Sequence, residues 1–171
     1  MMQAKGEQVQ RKVFFSFHFD NDAWRASQVR NMGILEGNEP VTSNDWEAVK
    51  RGGDAAIERW IANQMKGRTC AVVLVGAETA SRPWVKYEIK KAWNDGLGVV
   101  GIRIHGLKNR LGNTSIAGAN PFDGFNLNGT PLSQIVKLYS PTGGDSQAVY
   151  ADTNKKLDGL VEEAIKIRAK Y

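Results

Sequence analysis

Short apolar runs alternate along this chain with longer segments in which apolar residues recur every three or four positions. The run at residues 69–76 has the length of a strand and is apolar from Cys70 to Val75. Such a run is typical of a parallel strand that is covered on both faces. Similar apolar runs predict three more strands, at residues 12–19, 97–105 and 135–140.

The segments between these runs have the apolar spacing of amphipathic helices. They predict helices at residues 20–32, 44–65, 81–96 and 153–171. We expect a break at Gly52-Gly53, because each glycine costs about 1 kcal/mol in a helix interior relative to alanine. Asn44 and Glu47 have the spacing of a capping box for the second helix.

Two segments do not fit this alternation. Residues 34–40 form either a short strand or a crossing loop. Residues 106–133 are rich in Gly and Asn and lack periodicity, and unstructured spans of this length are usually functional or mobile. We expect this segment to be mobile in the isolated protein and to help complete a site or a subunit contact.

The alternation of strands and helices predicts an α/β fold with a doubly wound, mostly parallel sheet of about five strands and helices on both faces.

Composition fits one globular domain. The 171 residues are 42% hydrophobic and 24% charged, so we expect a flexible tail at residues 1–10 and one domain at residues 11–171. No segment approaches the roughly 18 apolar residues of a membrane span. The single cysteine, Cys70, excludes an internal disulfide and indicates a buried thiol in a reducing, cytoplasmic compartment.

The net charge of +5 would suit a phosphate-bearing ligand or a nucleic acid. However, the basic residues are spread over every segment, and no arginine-rich tract or aromatic RNA-binding motif occurs. The charge pattern therefore favours a solvated surface over a nucleic-acid interface.

The most informative motif opens the third helix, directly after the central strand. Ser81 can cap this helix, and Pro83 suits its first turn. Trp84 and Glu88 are four residues apart, so they lie on one face and lean toward the helix N-terminus. Glu88 therefore points toward the carboxyl edge of the sheet, where ligands of open α/β folds bind.

Several common sites are excluded because their residues are missing. The first predicted strand is not followed by a glycine-rich phosphate loop, and the chain has no G-x-S-x-G nucleophile elbow. The central strand also lacks the terminal aspartate of a phosphoacceptor receiver. The two histidines, His18 and His105, could join Asp20 at a metal, but without fixed ligand spacing they are better interpreted as polar loop residues, or one of them as a substrate contact. We assign no metal site.

The combination of elements resembles the TIR-like domains, which have a flavodoxin-like fold, and within them the TIR subunit of the bacterial Thoeris antiphage system. The resemblance rests on residues 16–20 at the exit of the first strand, on the W-x-x-x-E spacing of Trp84 and Glu88, and on the element order. One departure is Val85, because enzymatic TIR domains often have a cysteine at that position. We expect Val85 to face the core.

The resemblance implies an enzyme that cleaves the nicotinamide–ribose bond of NAD and closes the product into a cyclic ADP-ribose isomer. NAD would be the substrate, with no separate cofactor, and a separate effector protein would respond to the product as a second messenger. Glu88 would be the catalytic carboxylate. The implied substrate-binding residues are Ser16, Phe17, His18, Asp20 and Trp84.

Two alternatives remain open from the sequence. The chain could be a TIR-like adaptor that only recruits other TIR domains, or a nucleotide-binding module in which Glu88 holds a ribose without chemistry. The presence of Glu88 favours the enzyme, since a scaffold has no need of that carboxylate.

Overall fold

The structure, a computed structural model, describes residues 10–171, so nearly all of the predicted tail lies outside the described residues. Four strands form a parallel sheet in the order β1-β2-β3-β6. Two further strands, β4 and β5, form a separate antiparallel pair. The strands are β1 Val13–Ser16, β2 Cys70–Val75, β3 Gly98–Arg103, β4 Asn126–Leu127, β5 Thr130–Pro131 and β6 Leu138–Tyr139.

Helices cover both faces of the parallel sheet. They are α1 Phe19–Arg30, α2 Ser43–Arg51, α3 Gly53–Met65, α4 Pro83–Asn94 and α5 Ser146–Arg168. One core joins α1 and α5 to the sheet, and the other joins α3 and α4 to the opposite face. This arrangement confirms the doubly wound α/β fold with a mostly parallel sheet and helices on both faces. It also confirms the helix break, because α2 ends immediately before Gly52-Gly53.

Residues 34–40, for which a short strand and a crossing loop were both open, form a crossing loop beside β1. A single parallel bridge joins Lys12 to Glu36, and the side chain of Asn38 accepts a hydrogen bond from the backbone N–H of Phe15 at 3.0 Å. A Cβ atom at Gly37 would lie 2.6 Å from the Phe15 ring, so only glycine fits this close crossing. The loop therefore satisfies the edge of β1 without a regular ladder.

Two predicted helix caps were wrong. Ser81 belongs to a short 3-10 turn, Thr79–Ser81, and its hydroxyl donates to the Glu78 carbonyl at 2.9 Å. Arg82 is the N-cap residue of α4 and makes no side-chain capping bond. For α2, the capping box is Thr42 with Asp45, two residues earlier than expected.

Residues 106–133 are held against the domain at a few points, although many of them are exposed and most lie outside helices and strands. Phe122 is fully buried, and its ring occupies the space left by Gly101 of β3, where a Cβ atom would lie 2.9 Å from that ring. The buried guanidinium of Arg25 donates to the carbonyls of Leu107 and Asn113, each at 2.9 Å. Few large apolar side chains thus anchor a long segment. Its mobility and any role in self-association remain predictions.

Cys70 is fully buried in β2, and burial raises the pKa of its thiol to about 12. The thiol therefore acts as a small apolar group. We expect Cys70→Ala to lower the free energy of unfolding by about 1 kcal/mol through the small cavity that it leaves. Turnover should be unchanged, and a thiol reagent should modify the wild-type protein only after unfolding. Loss of turnover in a folded Cys70→Ala variant would show a direct chemical role.

Candidate active site

A cavity of about 270 Å³ opens beside β1 and the first turn of α4. Its walls are largely aromatic, and its charged and polar groups come from five separate segments. The aromatic lining includes Phe14, Phe15, Phe17, Phe19, Trp46, Trp60 and Trp84. The polar lining comprises His18, Asp20, Arg30, Asn38, Lys50, Arg82 and Glu88. This combination of apolar walls and a few convergent polar groups is typical of a small-molecule site.

Glu88 is a buried acid in this cavity, with only 9% of its surface exposed. On α4, Val85 and Ile89 pack into the core and fix the helix against the sheet. The Ser16 hydroxyl donates to Glu88 Oε1 at 2.9 Å. Burial raises the pKa of Glu88 to about 8, and the Ser16 hydrogen bond opposes part of that rise. The free protein therefore holds a largely protonated glutamate at neutral pH.

Ser16 lies behind Glu88 and is not in the cavity wall. It is 1% exposed and is the last residue of β1. Its place in the predicted substrate-binding set is therefore better described as positioning, because it orients the carboxyl group that the ligand would meet.

We expect Ser16→Ala to raise the pKa of Glu88 further, because the substitution removes a hydrogen bond that favours the ionised form. Titration of the carboxyl group by NMR with labelled glutamate would measure the shift. The protein should also lose about 1 kcal/mol of stability. A Ser16→Thr variant, which keeps the hydroxyl, is the control. An unchanged Glu88 titration in Ser16→Ala would contradict this role.

Phe17, His18 and Asp20, three of the residues predicted to bind substrate, line the cavity. The Phe17 ring stacks on Phe19 with a centroid distance of 6.4 Å. His18 is 7% exposed, and its Nδ1 has no hydrogen-bond partner within residues 10–171. Burial and the nearby Arg82 lower the pKa of His18. A neutral, unpartnered imidazole is therefore available to a ligand in the cavity.

Trp84 lies on the same wall as Glu88, which confirms the geometry expected from their spacing. The indole is half-buried and meets the Tyr87 ring edge-on, with a centroid distance of 5.5 Å. An aromatic surface next to an acid suits a ligand that combines a flat ring with a sugar.

Sequence reasoning missed the wall formed by α2 and α3. Trp46 and Trp60 contact each other with a centroid distance of 5.9 Å, and the Lys50 ammonium group lies 5.6 Å from the Trp46 ring centroid. The helical spacing of these tryptophans is equally typical of core residues. In the structure α2 has no buried residue, so its apolar face borders the cavity. The signal for this wall in the sequence was the pair of tryptophans, one on each side of Gly52-Gly53.

His105 does not join His18 and Asp20 in the cavity lining. Within residues 10–171, no group of three or more His, Cys, Asp or Glu side chains is placed to hold a metal ion. No residue of 106–133 lines the cavity either. In the same range of the chain, no helix is long and apolar enough to cross a membrane.

The fold and cavity define an open α/β domain with its candidate ligand site at the carboxyl edge of the sheet. Residues 14–109 match the family model described as "Thoeris protein ThsB, TIR-like domain". The chain is 34% identical over 139 residues to a Bacillus cereus (strain MSX-D12) protein named "Putative cyclic ADP-D-ribose synthase ThsB1", covering 78% of this chain and 72% of that protein. The chain belongs to the ThsB TIR-like family of Thoeris proteins. The matched range includes every candidate site residue, from Ser16 to Glu88.

Proposed function

We propose that this chain cleaves the nicotinamide–ribose bond of NAD and closes the ADP-ribose portion into a cyclic isomer. The observation that carries the proposal is the buried Glu88 carboxyl group, held by Ser16 inside an aromatic cavity. The printed name of the Bacillus cereus relative supports the same reaction class.

Glu88 matches the electrostatic needs of this bond cleavage. Nicotinamide leaves as a neutral molecule from a cationic ring, so the reaction needs no strong general acid. The ribose becomes oxocarbenium-like, and an ionised carboxylate close to it stabilises that charge. The cationic nicotinamide ring of bound NAD would also favour the ionised form of Glu88, whose pKa in the free protein is about 8.

The size and lining of the cavity suit one end of the dinucleotide. A cavity of about 270 Å³ can hold nicotinamide and its ribose while the rest of NAD extends toward the opening. Trp84 and Phe17 provide surfaces for the rings. Cyclisation requires that a nucleophilic atom of the same ADP-ribose reaches the anomeric carbon before water does, and the apolar walls exclude water from that carbon.

The cyclic product would act as a second messenger that reaches a separate effector in antiphage defence. Family membership supports this part of the proposal. We further propose that contacts with other TIR-like domains control the activity.

The direct test is incubation of the full chain with NAD at low and high protein concentration, followed by chromatography and mass spectrometry. Release of nicotinamide with a product one water lighter than ADP-ribose supports the cyclase. Linear ADP-ribose alone would indicate a glycohydrolase. Binding of NAD without turnover at both concentrations would favour the nucleotide-binding module, and absence of both binding and turnover would favour the adaptor.

A further inference from the structure

Arg82 lines the cavity at the start of α4. It is the N-cap residue, with extended backbone angles (φ −83°, ψ 120°), and its side chain lines the cavity. Its positive charge is close enough to His18 to contribute to the lowered pKa of that imidazole. Arg82 therefore lies between the end of β1 and the helix that carries Glu88.

Glu78 orients this arginine from the outer side. One Glu78 oxygen, Oε2, accepts hydrogen bonds from Arg82 Nη2 at 3.0 Å and from Asn21 Nδ2 at 2.9 Å. The side chains of Arg82 and Glu78 are 42% and 54% exposed, and an exposed pair of this kind adds little to stability. The contact therefore serves mainly to fix the direction of the guanidinium group.

The guanidinium group keeps donors that Glu78 does not use. Its hydrogen bond with Glu78 uses Nη2 alone, and Arg82 Nε, on the same edge of the group, has no hydrogen-bond partner within residues 10–171. A buried N–H without an acceptor costs about 1–3 kcal/mol, and more on a charged group. The guanidinium group is therefore incompletely paired at the cavity wall, and it has N–H groups left for an anionic ligand.

All three cations of the cavity have a partner. The Arg30 guanidinium donates to the Asn38 carbonyl, Lys50 pairs with Glu47 at 2.9 Å, and Arg82 pairs with Glu78 at 3.0 Å. Arg82 differs because it borders the first turn of α4, and unlike Lys50 it has a planar group with several N–H donors. The first turn of α4 adds N–H groups that have no partner within the helix.

We propose that Arg82 binds the diphosphate of the dinucleotide and that Glu78 is its positioning residue. The identity of the substrate rests on the proposed function. Guanidinium groups bind phosphate oxygens in a bidentate manner, so Arg82 would hold the diphosphate while nicotinamide riboside reaches Glu88. Arg82 would thus make the site specific for dinucleotides over nucleosides.

The first test measures binding without turnover. ADP-ribose binding is measured by calorimetry, and binding of adenosine, which has no phosphate, by NMR titration. In Arg82→Gln the affinity for ADP-ribose should fall at least about tenfold, with adenosine within about twofold of wild type. The affinity of Arg82→Lys for ADP-ribose should be intermediate, because lysine keeps the positive charge but lacks the planar pair of N–H donors of a guanidinium group. Arg110→Gln removes the same charge from an exposed loop position outside the cavity and is the matched control.

The second test uses turnover. Arg82→Gln should raise KM for NAD at least about tenfold, a much larger change than the one it causes in KM for nicotinamide riboside. Glu78→Gln should give a smaller rise in KM for NAD. Arg110→Gln should behave as wild type in both assays.

The outcomes separate the two proposals. Selective loss of ADP-ribose affinity in a protein that never cleaves NAD would uphold the Arg82 site and reject the proposed function. Normal ADP-ribose affinity in Arg82→Gln would reject the Arg82 site even if the wild type cleaves NAD. An equal loss for ADP-ribose and adenosine, or no ADP-ribose binding by the wild type, would also reject it.

Discussion

Glu88→Gln is expected to lower the rate of nicotinamide release from NAD at least about a hundredfold, a loss typical of removing one preorganised electrostatic contact. Glutamine keeps the size of the side chain and can still accept the Ser16 hydrogen bond at 2.9 Å. It cannot become negative when the ribose becomes positive. Single-turnover kinetics with NAD in excess of its dissociation constant would measure the chemical step.

The control for this experiment is Glu58→Gln, which makes the same chemical change at an exposed position of α3 outside the cavity. ADP-ribose binding by Glu88→Gln should stay within a few-fold of wild type, since the cavity walls are intact. A folded Glu88→Gln variant that turns over NAD at the wild-type rate would reject the catalytic assignment and leave Glu88 as a buried structural acid.

The layered architecture could be predicted from the sequence because its signals are local. The apolar run of β2 and the three-and-four spacing of α4 each depend on a few consecutive residues. The conformation of residues 34–40 could not be resolved in this way. Whether residues 34–40 form a ladder depends on Gly37 meeting the Phe15 ring and Asn38 meeting the Phe15 backbone, and these contacts join distant parts of the chain.

The cap assignments failed for a different reason. Ser81 and Asn44 are good capping residues by type, but so are several of their neighbours. Thr42 is the N-cap residue of α2 because Asp45 completes the two reciprocal hydrogen bonds of the capping box. At α4 a preceding 3-10 turn uses the Ser81 hydroxyl. Residue preference narrows a helix start to a few positions, and the exact backbone path then selects among them.

The sequence could predict those features of the candidate site that depend on neighbouring residues. It could not predict the features that depend on contacts between distant parts of the chain. The spacing of Trp84 and Glu88 placed both on one side of α4, and the strand exit at residues 16–20 placed polar groups nearby. The contact between Ser16 and Glu88 joins residues 72 positions apart, and the depth at which Glu88 is buried depends on the whole cavity. The raised pKa of this acid follows from that burial.

Glu88 should also make the stability of the protein depend strongly on pH. Its pKa is about 8 in the folded protein and 4.5 as the ordinary value. Below pH 4.5 both the folded and unfolded states hold the proton. Between pH 4.5 and about 8 the unfolded state releases it while the folded state keeps it, so stability falls as pH rises. Each pKa unit corresponds to about 1.4 kcal/mol, so the total effect is on the order of 5 kcal/mol.

Urea denaturation of the wild type and Glu88→Gln across pH 4.5–9 would isolate this contribution. Glutamine does not titrate, so the variant should gain stability relative to wild type by about 1.4 kcal/mol per pH unit until the difference levels off above pH 8. Taking the difference cancels the titration of every other group, as well as any constant cost of burying an amide. Glu58→Gln, the same chemical change at an exposed position, is the control. If the free energy of unfolding of Glu88→Gln changes with pH in parallel with that of wild type, Glu88 ionises at its ordinary pKa in the folded protein. The protonated acid inferred for the free site at neutral pH would then be wrong.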